Sequence, residues 1–366
     1  MNLFHSTVAM GKTFLAMLAL WLAAGTPVAA AGDCPASGDY RFVCGPHNAE
    51  DMVLVPGTHW IIASGMAPAA PIYLVDAQQK SWTALYPGDR PLAQQDMSTY
   101  GACPGAPPPG TLVSHGLNLR PGADGHSTLY VVGHGGREAI EVFDVDASGA
   151  KPALTWIGCV LLPEGMAANS VASLSDGSLV ATVPLHPGRT ISEAIAGEAT
   201  GAVHAWSPGE QGFSLVEGTG LPYANGIEVS ADGQEIYVVS SGLATVSAFS
   251  NTNPARTLRV TETLPFVPDN LHRASDGTLI TAGLVTEDPV CGNVPGPEPF
   301  DLEAFASCPR PFIVRAIDPR TMDGQDLARG PANERFSNIT MALPVGDDLW
   351  IGTFAGDRIA YRSQRP

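Results

Sequence analysis

A set of polar residues recurs in this sequence, each opening a short apolar run: Glu50 and Asp51, His115, Asn169, Asn225, Asp269 and Asn270, and Asn338. Most are carboxylates and carboxamides, which are hard oxygen donors. Calcium takes six to eight oxygens from Asp, Glu, Asn, carbonyls and water. Glu50 and Asp269 carry two negative charges, enough to balance one Ca²⁺, and Asn169, Asn225 and Asn270 add neutral oxygens. Taken singly, Asn225-Gly226 reads as a turn, and Asn or Asp near a strand end often bonds the local backbone. Recurrence in phase is what sets the group apart. Adjacent strand residues point to opposite faces, so Asp269 and Asn270 can face one ion only at a strand start or a bulge. By the same rule, Glu50 would face the ion and Asp51 would point deeper.

The elements that must position these residues repeat six times. The clearest copy runs Asn225-Gly226-Ile227-Glu228-Val229, turns at Asp232-Gly233, and continues through 235–239 and 245–249. Asp-Gly between apolar runs is a hairpin signal. Copies open at Glu50, His115, Asn169, Asn225, Asp269 and Asn338, about 45 to 70 residues apart. Such periods mark radial or linear arrays, and antiparallel units of three or four strands favour a six-bladed β-propeller over a stack of sandwiches. The first strand of each blade lines the central tunnel, so its opening residues converge. Residues 40–43 would supply a closing outer strand to the last blade. The extra length falls in 86–110, 186–200, 286–310 and 319–336, loops of the kind that form lids, with short helices expected at 190–198 and 301–306.

Composition agrees. There are 40 Gly and 32 Pro, and only 15% of residues are charged, which favours many short strands joined by turns. The net charge of −17 argues against nucleic acid and anionic membranes as partners and is compatible with a bound cation. Residues 1–30 have the layout of a cleavable signal peptide, with Lys12, an apolar stretch over 13–24 and a small-residue site at 28–30. The apolar stretch is too short for a finished membrane span. A periplasmic or secreted protein is therefore expected, as one domain over 31–366. All six cysteines follow the signal, an even count that suggests disulfides. Cys291 and Cys308 bracket one Pro-rich loop and are expected to pair, with Cys34–Cys44 and Cys103–Cys159 completing the set. There is no C-x-x-C zinc signature, no G-x-S-x-G nucleophile elbow and no nucleotide-binding loop in a strand–helix context.

The phrases Ser114-His115-Gly116, Val132-Gly133-His134, Ala168-Asn169-Ser170, Ala224-Asn225-Gly226-Ile227 and Pro268-Asp269-Asn270, with Glu50-Asp51 ahead of an apolar strand, resemble the paraoxonase (serum arylesterase/lactonase) family. The resemblance runs in blade order from Glu50 to the C-terminus. It implies a six-bladed propeller with two calcium ions that hydrolyses lactones. Carried over, Glu50, Asn169, Asn225, Asp269 and Asn270 would hold the catalytic ion. His115 and His134 would be the histidine dyad, with His115 taking a proton from the attacking water. Asp51 and the carbonyl of Leu117 would help hold a structural ion. There are departures. Ser170 stands where the family has a further structural-ion Asp. No cysteine follows Cys308 to tie the N-terminus to the last strand. Two further pocket residues of the family fall near 183–184 and 283–284, where this chain has Val183-Pro184 and Gly283-Leu284. Two other readings fit the same residues: a gluconolactonase-type hydrolase of sugar lactones with one metal, and a non-catalytic propeller pinned by calcium. A strictosidine-synthase-like propeller would not need these oxygen ligands.

Overall fold

Five-residue runs such as Ile72–Asp76 and Leu179–Val183 are buried at every position. Alternation is missing from them because a middle strand of a propeller blade is covered on both faces by the adjacent blades. The outermost strand of the fourth blade is the reverse: Thr257–Val260 is largely exposed, its Leu258 and Val260 included. This gradient from the axis outward is repeated six times in the computed structural model, which describes residues 34–88, 92–294 and 299–364. The expected signal peptide lies outside the described residues.

Each blade is an antiparallel sheet, and the inner strands begin at Met52, Leu112, Val171, Ala224, Phe266 and Ile339. Each inner strand contacts the inner strands of the blades on either side, which closes a ring of six. The chain is thus an all-β, six-bladed propeller, as expected. The sixth blade is completed by the N-terminal strand Arg41–Cys44, which pairs antiparallel with Arg358–Ser363 in the register Phe42↔Ala360. Full edge coverage of this kind leaves the ring without a seam.

The Asp-Gly turns recur as read. Asp176, Asp232 and Asp276 each accept the backbone N–H two residues on, at 2.9, 3.1 and 3.0 Å. Cystines join Cys34 to Cys44, Cys103 to Cys159 and Cys291 to Cys308. The 86–110 connection departs from a plain loop. Leu92–Ala93 adds a parallel edge to strand Ala153–Leu161, and the Cys103–Cys159 bridge fastens the segment there. Helices form at Ile191–Ile195 and Leu302–Ser307, capped by Thr190 and Asp301. Among the described residues, no helix is long and apolar enough to cross a membrane.

Candidate active site

The inner strands lose their register at the positions that carry the polar residues. Pairing shifts between Ser114 and Leu117, between Ala224 and Ile227, and between Pro268 and Leu271. A bulge frees a residue from strict alternation. His115, Asn225, and the pair Asp269 and Asn270 sit inside these shifts. The glycines of the His-Gly and Asn-Gly phrases have a packing role. A Cβ on Gly116 would lie 2.5 Å from the Asn169 carbonyl oxygen, and one on Gly226 would lie 2.5 Å from that of Asp269. Only a hydrogen fits where neighbouring blades converge on the axis, so these glycines permit a close approach rather than a turn.

Glu50, His115, Asn169, Asn225 and Asp269 line one cavity of about 340 Å³. Asn270 is buried beside it and donates its amide to Glu50 Oε1 at 2.6 Å. Four side-chain oxygens of this group are buried and accept no hydrogen bond: Glu50 Oε2, Asn169 Oδ1, Asn225 Oδ1 and Asn270 Oδ1. Buried acceptors are ordinarily satisfied, and orphans call for a specific reason. The amide ends of Asn225 and Asn270 are anchored instead. Asn225 Nδ2 donates to Ser241 Oγ at 3.0 Å, and the Asn225 carbonyl accepts from Thr182 Oγ1 at 2.5 Å. Glu50 is held through its carbonyl by Thr340 Oγ1 at 2.6 Å.

The electrostatics follow from packing carboxylates together out of water. Burial raises the Glu50 carboxyl well above its ordinary value, and the charges of Asp269 and Asp51 raise it further, against the Asn270 hydrogen bond. Asp269 is pushed up to about 7, chiefly by burial, with a hydrogen bond from Asn225 opposing and Asp51 adding. Tyr223, which lines the same cavity, is pushed to about 12 by burial and by Asp269 and Glu50. Two raised carboxyls among unpartnered neutral oxygens form a hard donor set that fits a divalent cation such as calcium.

The second ion set does not fit. Asp51 Oδ1 accepts from its neighbour Met52 N–H at 2.8 Å and meets His272 Nε2 at 2.5 Å, while Oδ2 accepts from Leu117 N–H at 2.7 Å. Both carboxylate oxygens are engaged by protein, and Ser170 adds no charge. Burial lowers His272, but Asp51 outweighs it and the net shift is upward. His272 thus meets Asp51, one of the residues to which the resemblance assigns the structural ion.

The two histidines meet. His115 Nδ1 lies 3.1 Å from His134 Nε2, and His115 Nε2 faces Glu50 Oε2 at 3.7 Å. Burial and the neighbouring His134 push His115 down to about 3. It is neutral at ordinary pH, and not poised near neutrality as a free histidine would be. Asn338 is not among the residues that line the cavity: its amide donates to the Ala306 carbonyl at 2.9 Å and so holds the second helix, while its own Oδ1 is buried without a partner.

That helix and the first roof the cavity. Phe300 N–H donates to Ser192 Oγ at 3.0 Å, joining the two lid segments. Ile191, Ile195, Phe300, Leu302 and Phe305 face the space above the polar floor. The lid segments were legible as long loops, but their apolar lining was not, nor were Tyr223, His272 and Ser241. Tyr223 reaches the cavity from a left-handed backbone (φ 51°), which no sequence period announces.

No protein-family model matches the sequence, and neither does any curated protein. Solved structures share its fold. A luciferin-regenerating enzyme superposes with a TM-score of 0.52 at 12% identity, covering 88% of this chain and 93% of that one. A proposed gluconolactonase gives 0.51 at 15% identity, covering 90% and 94%. A regucalcin of Agrobacterium tumefaciens, described as a calcium-binding protein, gives 0.49 at 12% identity, covering 87% and 91%. The first two likenesses establish the propeller architecture and leave its chemistry to the site.

Proposed function

We propose that this protein is a calcium-dependent hydrolase of lactones or related esters, of the lactonase/arylesterase kind, with one ion rather than two. The observation that carries the reading is the set of four buried, unpartnered oxygens on Glu50, Asn169, Asn225 and Asn270, grouped with Asp269 at the floor of the cavity. Glu50, Asn169, Asn225, Asp269 and Asn270 would hold the ion, whose charge would polarise an ester carbonyl and stabilise the oxyanion. Both carboxylate oxygens of Asp51 are engaged, one by the Leu117 N–H and the other by His272, which supports a single ion.

The residues of the chain do the rest. His115 presents Nε2 to the cavity and takes the proton of the attacking water, with His134 behind it. The apolar roof excludes bulk water from the reacting carbonyl and takes up the hydrocarbon part of the substrate. This lining favours aliphatic or aromatic esters over a sugar lactone, whose hydroxyls would face Ile191, Ile195 and Phe305 without partners. The likeness to a proposed gluconolactonase suits the same broad chemistry and the same floor. Three cystines are typical of an oxidising compartment, which supports export to the periplasm or medium.

The test is hydrolysis of aliphatic, aromatic and sugar lactones and phenyl acetate by the purified protein, before and after EDTA and calcium add-back. Activity lost with chelator and regained with calcium, best on apolar substrates, is expected. No turnover by a folded, calcium-binding protein would leave the ion as a structural pin in a non-catalytic propeller.

A further inference from the structure

The tautomers of the two histidines are set from outside the cavity. His134 Nδ1 lies 2.6 Å from Oε2 of Glu138, four residues on in the turn between strands His126–Gly135 and Ala139–Asp146. A carboxylate only accepts, so the proton in that contact is on His134 Nδ1. In neutral imidazole the other nitrogen is then an acceptor, so His134 Nε2 receives a hydrogen bond. Its partner at 3.1 Å is His115 Nδ1, which must carry the proton. What is left on His115 is a bare Nε2, the nitrogen that faces Glu50 Oε2 at 3.7 Å.

Burial grades along the same line. The side chain of Glu50 is 1% exposed, His115 14%, His134 21% and Glu138 39%. The chain of contacts thus runs from the closed floor of the cavity to water.

We propose that Glu138 is a positioning residue for ester hydrolysis: it fixes both histidine tautomers so that His115 offers a bare Nε2 to the attacking water, and it ends the proton path at the surface. The proposal rests on the hydrolase reading of the site and deepens it. In the step, the water oxygen bonds to the carbonyl carbon as one of its O–H bonds breaks. That proton goes to His115 Nε2, the Nδ1 proton of His115 passes to His134 Nε2, and the Nδ1 proton of His134 passes to Glu138 Oε2. As the carbonyl-carbon–oxygen bond to the leaving group breaks, the reverse transfers return a proton to the leaving oxygen. No lasting positive charge is left on the buried ring; holding the tautomer is the service a carboxylate gives to a histidine in a hydrolytic triad, and the transfer of a proton to Glu138 goes beyond it.

Glu138 is invisible to motif reading because it lies in a hairpin turn, where a surface carboxylate is ordinary. Its alternative role is a local ion pair that only steadies the turn, and the experiment must separate the two. The calcium-loaded protein is labelled with 15N-histidine, and two-bond 1H–15N spectra are recorded, with His115→Gln and His134→Gln for assignment. In the wild type, His115 Nδ1 should be protonated and Nε2 bare. In Glu138→Leu, that preference should be lost, with kcat down roughly tenfold to a hundredfold at little change in KM or calcium affinity. Glu138→Gln can still accept a hydrogen bond from His134 Nδ1–H through its amide oxygen, though not the proton itself, and should keep the tautomer and more of kcat than the leucine variant. A wild-type His115 protonated on Nε2 overturns the proposal, whether or not the variants fold. So does an unchanged tautomer in Glu138→Leu. The tautomer is read without substrate, so absence of turnover on every ester would count against the hydrolase reading alone.

Discussion

Asn270 donates its side-chain amide to Glu50 twice, to the carboxylate at 2.6 Å and to the main-chain carbonyl at 3.2 Å, across 220 residues of sequence. The contact joins the first blade to the fifth at the axis and turns Glu50 Oε2 and Asn270 Oδ1 away from each other's hydrogen bonds, so both remain free. Asn270 therefore both offers an oxygen and aims one. Asn270→Ala should weaken calcium binding by about a hundredfold, with Asp269→Ala at least as severe. Titration calorimetry reads the affinity directly. Full affinity and activity in Asp269→Ala would remove the metal assignment.

The pH dependence of the metal-free protein should run opposite to that of an ion-paired carboxylate. Asp269 has an ordinary value of 3.8 and is pushed to about 7 in the folded chain. Between those values the folded state holds a proton that the unfolded state has lost, so stability falls as pH rises through this window and then levels. Glu50 shifts in the same direction. The lowered values of His115 and His204 act in the opposite sense below pH 6.5, so the test is a comparison with Asp269→Asn: relative to that variant, the chelated wild type should lose stability between pH 5 and pH 8. A stability difference between the two that stays constant over this range would refute the linkage.

Calcium should reverse that loss, because binding requires both carboxylates ionised. Below pH 7 binding releases protons, and affinity climbs with pH before flattening. At a free concentration a hundred times its Kd, the ion should stabilise the fold by about 2.7 kcal/mol. Melting with and without chelator at pH 8 checks the size. Calorimetry in buffers of different ionisation enthalpy checks the proton release.

His115→Gln should lower kcat by on the order of a hundredfold or more and leave calcium affinity nearly intact, since its Nε2 faces Glu50 across 3.7 Å. Near-normal rates would remove it as the base without touching the ion.

The roof should set chain-length preference. Phe305→Ser places a hydroxyl where a hydrocarbon would pack, so KM for a long-chain lactone should rise by roughly tenfold or more. An unsubstituted small lactone should be little affected. Equal losses on both would point to a collapsed lid, not a lost contact.

The fold was legible because a polar opener, an apolar run and a Gly or Asp turn recur six times, most clearly from Asn225 through Asp232-Gly233. The floor of the site was legible because Glu50, Asn169, Asn225 and Asp269 recur in phase with the blades. The bulge at Asp269-Asn270 met the one geometric condition that adjacency imposes. What stayed hidden depends on turns and on distant blades. Glu138 sits four residues past His134 in a hairpin turn, and His272 meets Asp51 from 221 residues away. Asn338 carried the same signal as Asn169 and Asn225, but its amide turned to a helix carbonyl. Composition cannot say which of two nearby partners a side chain will choose.

Ring closure by Arg41–Cys44 against Arg358–Ser363 also sets a clock. The closing strand is among the earliest parts of the domain to be synthesised, and its partner is among the last. Earlier blades can form their sheets as they emerge, but the sixth lacks an edge until almost the whole chain is present. Cys44 is tied back to Cys34, and among the described residues no cystine reaches the last strand, so the final join is non-covalent, made by strand hydrogen bonds and by shared apolar packing of Phe42 with Ala360 and of Val43 with Ile359. The ring therefore cannot close before strand Arg358–Ser363 is present, however early the other blades have formed.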